Sequence, residues 1–242
     1  MKFTVSLAGV NVEINSIYGE VFDLCRDYVV DAAADFAVFI EPSDIEFECQ
    51  KSMSEAEMEH RPYGNFSESY LETLAVYRKI ALGLLDYNVF LMHGAVVGLD
   101  GYAYLFTAPS GLGKTTHTRF WLEKYPEAFI LNGDKPLIKI ENGKVFACGS
   151  PWAGKEGQNR NITLPLAAVA VMFRGKGNQI TPVGFDKVMP LVIAQTYRPS
   201  GAKEMKKTLE LIKTFGENVK FYALFCNLDP NAAVVAKEGM ST

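Results

Sequence analysis

Apolar and polar positions alternate in two short runs at the start of the chain, residues 3–7 and 10–14, on either side of Gly9. Alternation of period two predicts strands, and the glycine between them predicts a hairpin. A helix is expected over about 19–29, then a strand over 36–40 stopped by Pro42. Between Asp44 and Ser69 the pattern weakens. The polar run SEAEMEHRPYGNFSES, with Pro62 and Gly64, reads there as a linker or mobile loop. The signal returns with Leu71, Leu74, Ala75, Ile80, Leu82 and Leu85, which mark a helix packed on several faces. A buried strand over 89–97 follows, and Asp100-Gly101 predicts a hairpin into a second strand over 102–107. Past a glycine-rich loop, a helix runs to about Tyr125, before Pro126. Strands are then expected over 129–131 and 137–140 and, beyond an Asn142-Gly143 turn, over 145–147. The last third predicts a glycine-rich polar loop over 149–161, a strand over 167–173, helices near 186–196 and 202–215, a strand over 219–224 and a final helix. This pattern predicts an α/β chain with a mixed sheet and flanking helices, preceded by a small N-terminal α+β module. The expected division is 1–65 for the module and 66–242 for the larger domain.

Composition narrows the function classes. In 242 residues, 24 Lys+Arg stand against 28 Asp+Glu, a net charge of -4. A dedicated nucleic-acid binder shows a basic excess, so nucleic acid is not the expected partner. Cys25, Cys49, Cys148 and Cys226 form no CxxC pair, which disfavours a disulfide framework or a zinc knuckle and fits a reducing compartment. The opening MKFTVSLAGVNVEINS lacks the apolar core of a signal peptide. The most apolar stretch, 164–173, is about half a membrane span and contains Pro165. A cytoplasmic protein without a membrane partner is expected.

The sharpest motif is Ala108-Pro109-Ser110-Gly111-Leu112-Gly113-Lys114-Thr115, which fits GxxxxGK[ST] with alanine at its first position. Glycines let successive backbone N–H groups turn toward a phosphate, and the following helix aims its positive end at the same point. The apolar strand YAYLF precedes the loop and an amphipathic helix follows, the context such a loop requires. Lys114 is expected to reach the β and γ oxygens, and the Thr115 hydroxyl to bind Mg²⁺. The competing reading is a surface turn that contains Gly-Lys by chance. Asp134, twenty residues after Lys114, ends the next apolar strand and can complete a metal site at the carboxyl edge of the sheet. Otherwise it caps a turn before Pro136. His93, upstream of the hairpin, is either an acid, base or orienter at that site or a core histidine bonded to backbone. His117 and His60 have weaker claims.

The run HGAVVGLDGYAYLFTAPSGLGKTTHT followed by LNGDKP resembles the catalytic domain of HPr serine kinase/phosphorylase and its P-loop relatives, a group structurally akin to ATP-dependent phosphoenolpyruvate carboxykinase. The resemblance spans roughly residues 90–175 and extends to short bacterial kinase-like proteins, including some that modify ribosomal peptides. It implies Mg²⁺ and ATP as cofactors and phosphoryl transfer to a hydroxyl. Ser110, Gly111, Leu112, Gly113, Lys114, Thr115 and Thr116 carry over as the triphosphate cradle, and Asp134 as metal ligand or general base. HPr kinases carry two adjacent acids after the loop; here the first position is Gly133. One carboxylate then serves both roles, or the base comes from elsewhere, His93 included. Such kinases are oligomeric, so a homo-oligomer is among the expected partners.

The segment 149–160 is glycine-rich, basic and aromatic. Lys155 and Arg160 are therefore candidates to neutralise charge on a transferred phosphoryl, as against a solvent loop with Trp152 in the core. Arg198 is a weaker candidate. Phe120, Trp121 and Tyr125 read as core rather than as base-stacking groups. The leading expectation is a kinase acting on a hydroxyl-bearing peptide, protein or small molecule. The alternatives are a nucleotide-binding regulator with little chemistry and a carboxykinase-type lyase.

Overall fold

Residues 2–15 form the expected hairpin: β1 (Lys2–Leu7) and β2 (Val10–Asn15) pair antiparallel, with Val5↔Val12 in register. Short helix α1 (Glu20–Cys25) and a 3-10 turn follow, and β3 (Phe36–Phe39) then lies parallel to β2. In this computed structural model, which describes residues 1–58, 60 and 62–241, the chain divides into two compact units, Met1–Leu84 and Leu85–Thr242. The division falls later than residue 65 because helix α3 (Glu68–Leu84) makes its contacts within the first unit, with α1, β2, β3 and the helix before it.

That preceding helix corrects the sequence reading. Much of the expected linker is α2 (Pro42–Met58), 17 residues long. Glu59 and Arg61 of the polar run lie outside the described residues. The run lacks an apolar stripe because α2 is held by charge as much as by burial. Only Ile45, Glu48 and Ala56 of the helix are buried. The Arg78 guanidinium on α3 meets Glu48 at 2.5 Å and Asp44 at 3.1 Å, and Lys79 meets Asp44 at 2.6 Å. Burial alone would raise the Asp44 carboxyl, but its bonds to Lys79, the Glu41 amide and Arg78 bring it below the usual range.

The second unit is built on a nine-stranded mixed sheet. Its strands are β4 (Val89–Leu91), β5 (Ala95–Leu99), β6 (Tyr102–Thr107), β7 (Phe129–Asn132), β8 (Leu137–Glu141), β9 (Lys144–Cys148), β10 (Thr163–Arg174), β11 (Gln179–Val183) and β12 (Lys220–Cys226). The order runs β4-β8-β9-β10-β6-β5-β7, with β12 on β10 and β11 on β12. β10 is longer than expected and does two jobs. Residues 163–165 pair antiparallel with β9, and the rest pairs parallel with β6 on one side and β12 on the other. β11, unmarked in the sequence pattern, is an edge strand that tolerates Pro182.

Both faces of the central strands are buried, so they read as continuous apolar runs. Val96, Leu105, Val169 and Val171 pack on one side with helices α5 (Phe185–Ala194) and α6 (Ala202–Asn218), through Val188, Val192, Leu211 and Phe215. Val97, Tyr104, Phe106, Ala168 and Ala170 pack on the other with helices α4 (Lys114–Lys124) and α7 (Asn231–Met240), through Trp121, Ala233 and Ala236. The small Ala168 and Ala170 leave room there for the buried Trp121 ring. Tyr125 joins the same cluster, as expected.

Candidate functional site

The expected continuous strand over 89–97 is broken at residues 92–94, and the break creates the site. Three successive amides there donate to separate partners: Met92 to the Pro136 carbonyl at 3.2 Å, His93 to that of Gln195 at 2.6 Å, and Gly94 to that of Asp134 at 2.9 Å. The His93 carbonyl accepts the Thr107 hydroxyl at 2.9 Å, at the end of β6. His93 is thus fixed to the ends of two strands and to the segment after α5.

β7 does not lie beside the loop strand as its position in the sequence suggested; β5 lies between them. Because β5 is antiparallel to both, β6 and β7 run the same way and still deliver their carboxyl ends to one edge. From β6 the chain enters the loop at Ala108. Gly111 (φ 76°) and Gly113 (φ 115°) take conformations that side chains resist, which turns the loop into the first turn of α4. From β7 the chain reaches Asn132, buried, whose Oδ1 accepts the amides of Asp134 at 2.9 Å and Lys135 at 2.7 Å. Asn132 Nδ2 in turn donates to the Ser150 carbonyl at 2.9 Å, and the Ser150 hydroxyl to that of Lys135 at 2.6 Å. This buried bracket holds the 132–135 turn rigid.

Asp134 stands between two basic groups. Its Oδ1 is 3.2 Å from His93 Nε2, and its Oδ2 accepts Lys135 Nζ at 2.9 Å. The other ring nitrogen of His93 is 2.7 Å from Gln195 Oε1. Burial would raise the Asp134 carboxyl, but the His93 hydrogen bond and the Lys135 charge outweigh it and hold it at about 2. Lys114 is buried, with Nζ donating to the Ala108 carbonyl at 2.8 Å. Desolvation brings its ammonium down to about 8, against the attraction of Asp134 and with the repulsion of Lys135. An anion seated in the loop favours its charged form.

A cleft of about 600 Å³ brings together His93, Ser110, Gly111, Gly113, Lys114, Thr115, Thr116, Asp134 and Lys155. Leu112 instead lines two neighbouring pockets. Arg160 is also elsewhere. Its amide donates to the Leu131 carbonyl at 2.9 Å, and its guanidinium lies over the Phe129 ring, 4.2 Å from the centroid. The same strip of loop explains Gly133, whose amide donates to the Gln158 carbonyl. A Cβ at 133 would stand 3.1 Å from the Ala153 carbonyl oxygen, so a second acid fits there only if that segment gives by a few tenths of an ångström.

The sequence reading missed Lys135, Gln195 and the Asn132–Ser150 bracket. Lys135 follows Asp134 directly and was legible as a neighbour; Gln195 is 102 residues from His93 and no spacing marks it. His117 is buried, accepts the Trp121 indole N–H at 3.1 Å and is pushed by desolvation down to about 4, which makes it a core group. His60 and Arg198 do not line the cleft.

Among the described residues no cluster of three His, Cys, Asp or Glu could hold a metal alone. Among the oxygen donors lining the cleft are the Thr115 hydroxyl and the Asp134 carboxylate. That set fits Mg²⁺, which keeps waters and takes further oxygens from substrate phosphates. Among the described residues no helix is long and apolar enough to cross a membrane.

No protein-family model and no curated protein matches the sequence. Among solved structures, the HPr(Ser) kinase/phosphatase from Coxiella burnetii is similar over 62% of this chain and 88% of that one, with 10% sequence identity and a TM-score of 0.40. A likeness of that size assigns no activity; what this chain does must be read from the site's own chemistry.

Proposed function

We propose that the chain is an ATP- and Mg²⁺-dependent kinase that transfers the γ-phosphoryl group to a hydroxyl of a peptide, protein or small molecule. One observation carries the reading: a glycine-rich loop at a helix N-terminus, its lysine and threonine, and a carboxylate held ionised all line one cleft. Loop amides and the start of α4 bind the phosphates. Lys114 exchanges the Ala108 carbonyl for phosphate oxygens. Thr115 and Asp134 would hold Mg²⁺, which would supply charge neutralisation at the phosphates.

Asp134 is a weak proton acceptor at about 2. Its work is to orient the attacking hydroxyl through a hydrogen bond, which suits a loose transition state that needs positioning more than early deprotonation. His93, anchored by Gln195, and Lys135 keep the carboxylate in place, and Lys155, which lines the cleft, offsets charge on the moving group.

A second reading, a nucleotide-binding regulator, is favoured by the single acid beside Gly133. Labelled ATP supplied with separate protein, peptide and metabolite fractions of the host separates the two. Under the kinase reading, label moves into one fraction with the wild type and not with Asp134→Asn. ATP binding without transfer in every fraction selects the regulator.

A further inference from the structure

The glycine-rich loop lines more than one pocket. Next to the cleft that holds Asp134 is a second pocket of about 460 Å³, and Gly111, Gly113 and Thr116 line both. We infer that this pocket takes the base and ribose of the nucleotide and grips the base by its faces rather than reading its edges. The inference rests on the kinase reading for the phosphates and assigns the rest of the ligand.

The lining chemistry argues for it. Phe120, one turn beyond Thr116 on α4, is only partly buried and lines the pocket as well as the core, a second role beyond the core position expected of it. Leu228 is 80% exposed, an apolar side chain with no packing role in either core cluster. Arg174, at the end of β10, reaches the Gly111 carbonyl with Nη2 at 3.4 Å and sets a planar cation beside the loop. An aromatic ring, an aliphatic face and a guanidinium plane are the groups on which a heterocycle stacks, whichever base it is.

The side-chain amide best placed to read a base edge is already engaged. Asn227 Nδ2 donates to the Lys176 carbonyl at 3.1 Å, and its Oδ1 accepts the Asp229 amide at 2.9 Å. A site whose side-chain amide is spent internally discriminates weakly between ligands that differ only in hydrogen-bonding edges. The lining ring of His117 carries a side-chain polar atom without a partner among the described residues, Nδ1, but that atom is buried and presents no hydrogen-bonding group to a base edge. The other cleft, by contrast, is walled by Asp134, Lys114 and Lys155 and suits phosphates and an acceptor hydroxyl.

Calorimetric binding of Mg·ATP, Mg·GTP and magnesium tripolyphosphate to the full chain, wild type and Leu228→Ser, tests the inference. Leu228→Ser adds no charge near the phosphates and, at an exposed position, leaves the melting temperature unchanged. The wild type should bind ATP about tenfold or more tighter than tripolyphosphate, and GTP within about tenfold of ATP. Leu228→Ser should weaken ATP by about fivefold and leave tripolyphosphate within about twofold. Unchanged ATP affinity in Leu228→Ser, ATP binding no tighter than tripolyphosphate, or GTP weaker by more than that margin overturns the pocket assignment while leaving the kinase reading intact. A wild type that binds neither ATP nor tripolyphosphate overturns both.

Discussion

Asp134 lies between an imidazole and an ammonium group, and that setting decides what it can do. A carboxylate held at about 2 stays ionised at any physiological pH, so it suits metal and hydroxyl contacts better than storing a proton. Asp134→Asn should therefore lower phosphoryl transfer by about 10²–10⁴ while binding of tripolyphosphate changes only a few-fold. Comparable losses in binding and transfer would show that the residue only maintains the loop. Gly133→Asp, which supplies the missing second acid, should fail to raise activity, because its Cβ meets the Ala153 carbonyl oxygen. A melting curve for that variant should shift downward. At this scale the sequence pointed to three residues that line one cleft, Lys114, Thr115 and Asp134, because their motif is local. It could not disclose Gln195, which reaches His93 only through the break at 92–94. Arg160, also a candidate, does not line the cleft, and a glycine-rich loop does not tell which of its cations faces it. The hydrogen bond from the Arg160 amide to Leu131 runs the segment back along β7, and its guanidinium settles over Phe129.

Among the elements, α2 departs most from its sequence pattern. A helix in which few residues are buried shows weak periodicity, so its polar surface looked like a linker. Its attachment depends instead on Arg78 and Lys79 of α3. Arg78→Met should destabilise the first unit by about 3 kcal/mol, because the nearly buried Glu48 carboxylate loses its closest cation. Thermal denaturation measures it, and no change in melting temperature would contradict this account of α2. The pairs also set an acid response. Asp44 is held below its unfolded value of 3.8, so its contribution is fully present above that pH. It drains away as pH falls through the lowered folded value. Stability measured from pH 6 down to pH 3 should fall more steeply for the wild type than for Asp44→Asn. The hairpins at Gly9, Asp100-Gly101 and Asn142-Gly143 were all legible, since each turn announces itself in a dipeptide or a glycine. The division of residues 89–97 into β4 and β5 was not, because every residue in it but His93 is buried and nothing local marks a change of partner.

For the molecule as a whole, the α/β class and the mixed sheet follow from the alternation of elements, whereas strand order is a long-range property. The separation of β6 and β7 by β5, and the use of β10 by three partner strands, depend on pairings that no local pattern encodes. The outcome is an edge where the ends of two like-directed strands, a helix N-terminus and a glycine-rich loop converge. The central claim is that this edge holds a nucleoside triphosphate and passes on its terminal phosphoryl group. The most direct measurement is turnover of γ-labelled ATP by the wild type and by Lys114→Ala, with melting curves confirming that both are folded. The account predicts a loss of about 10² or more in transfer with the fold intact. Equal turnover by the two proteins would contradict it.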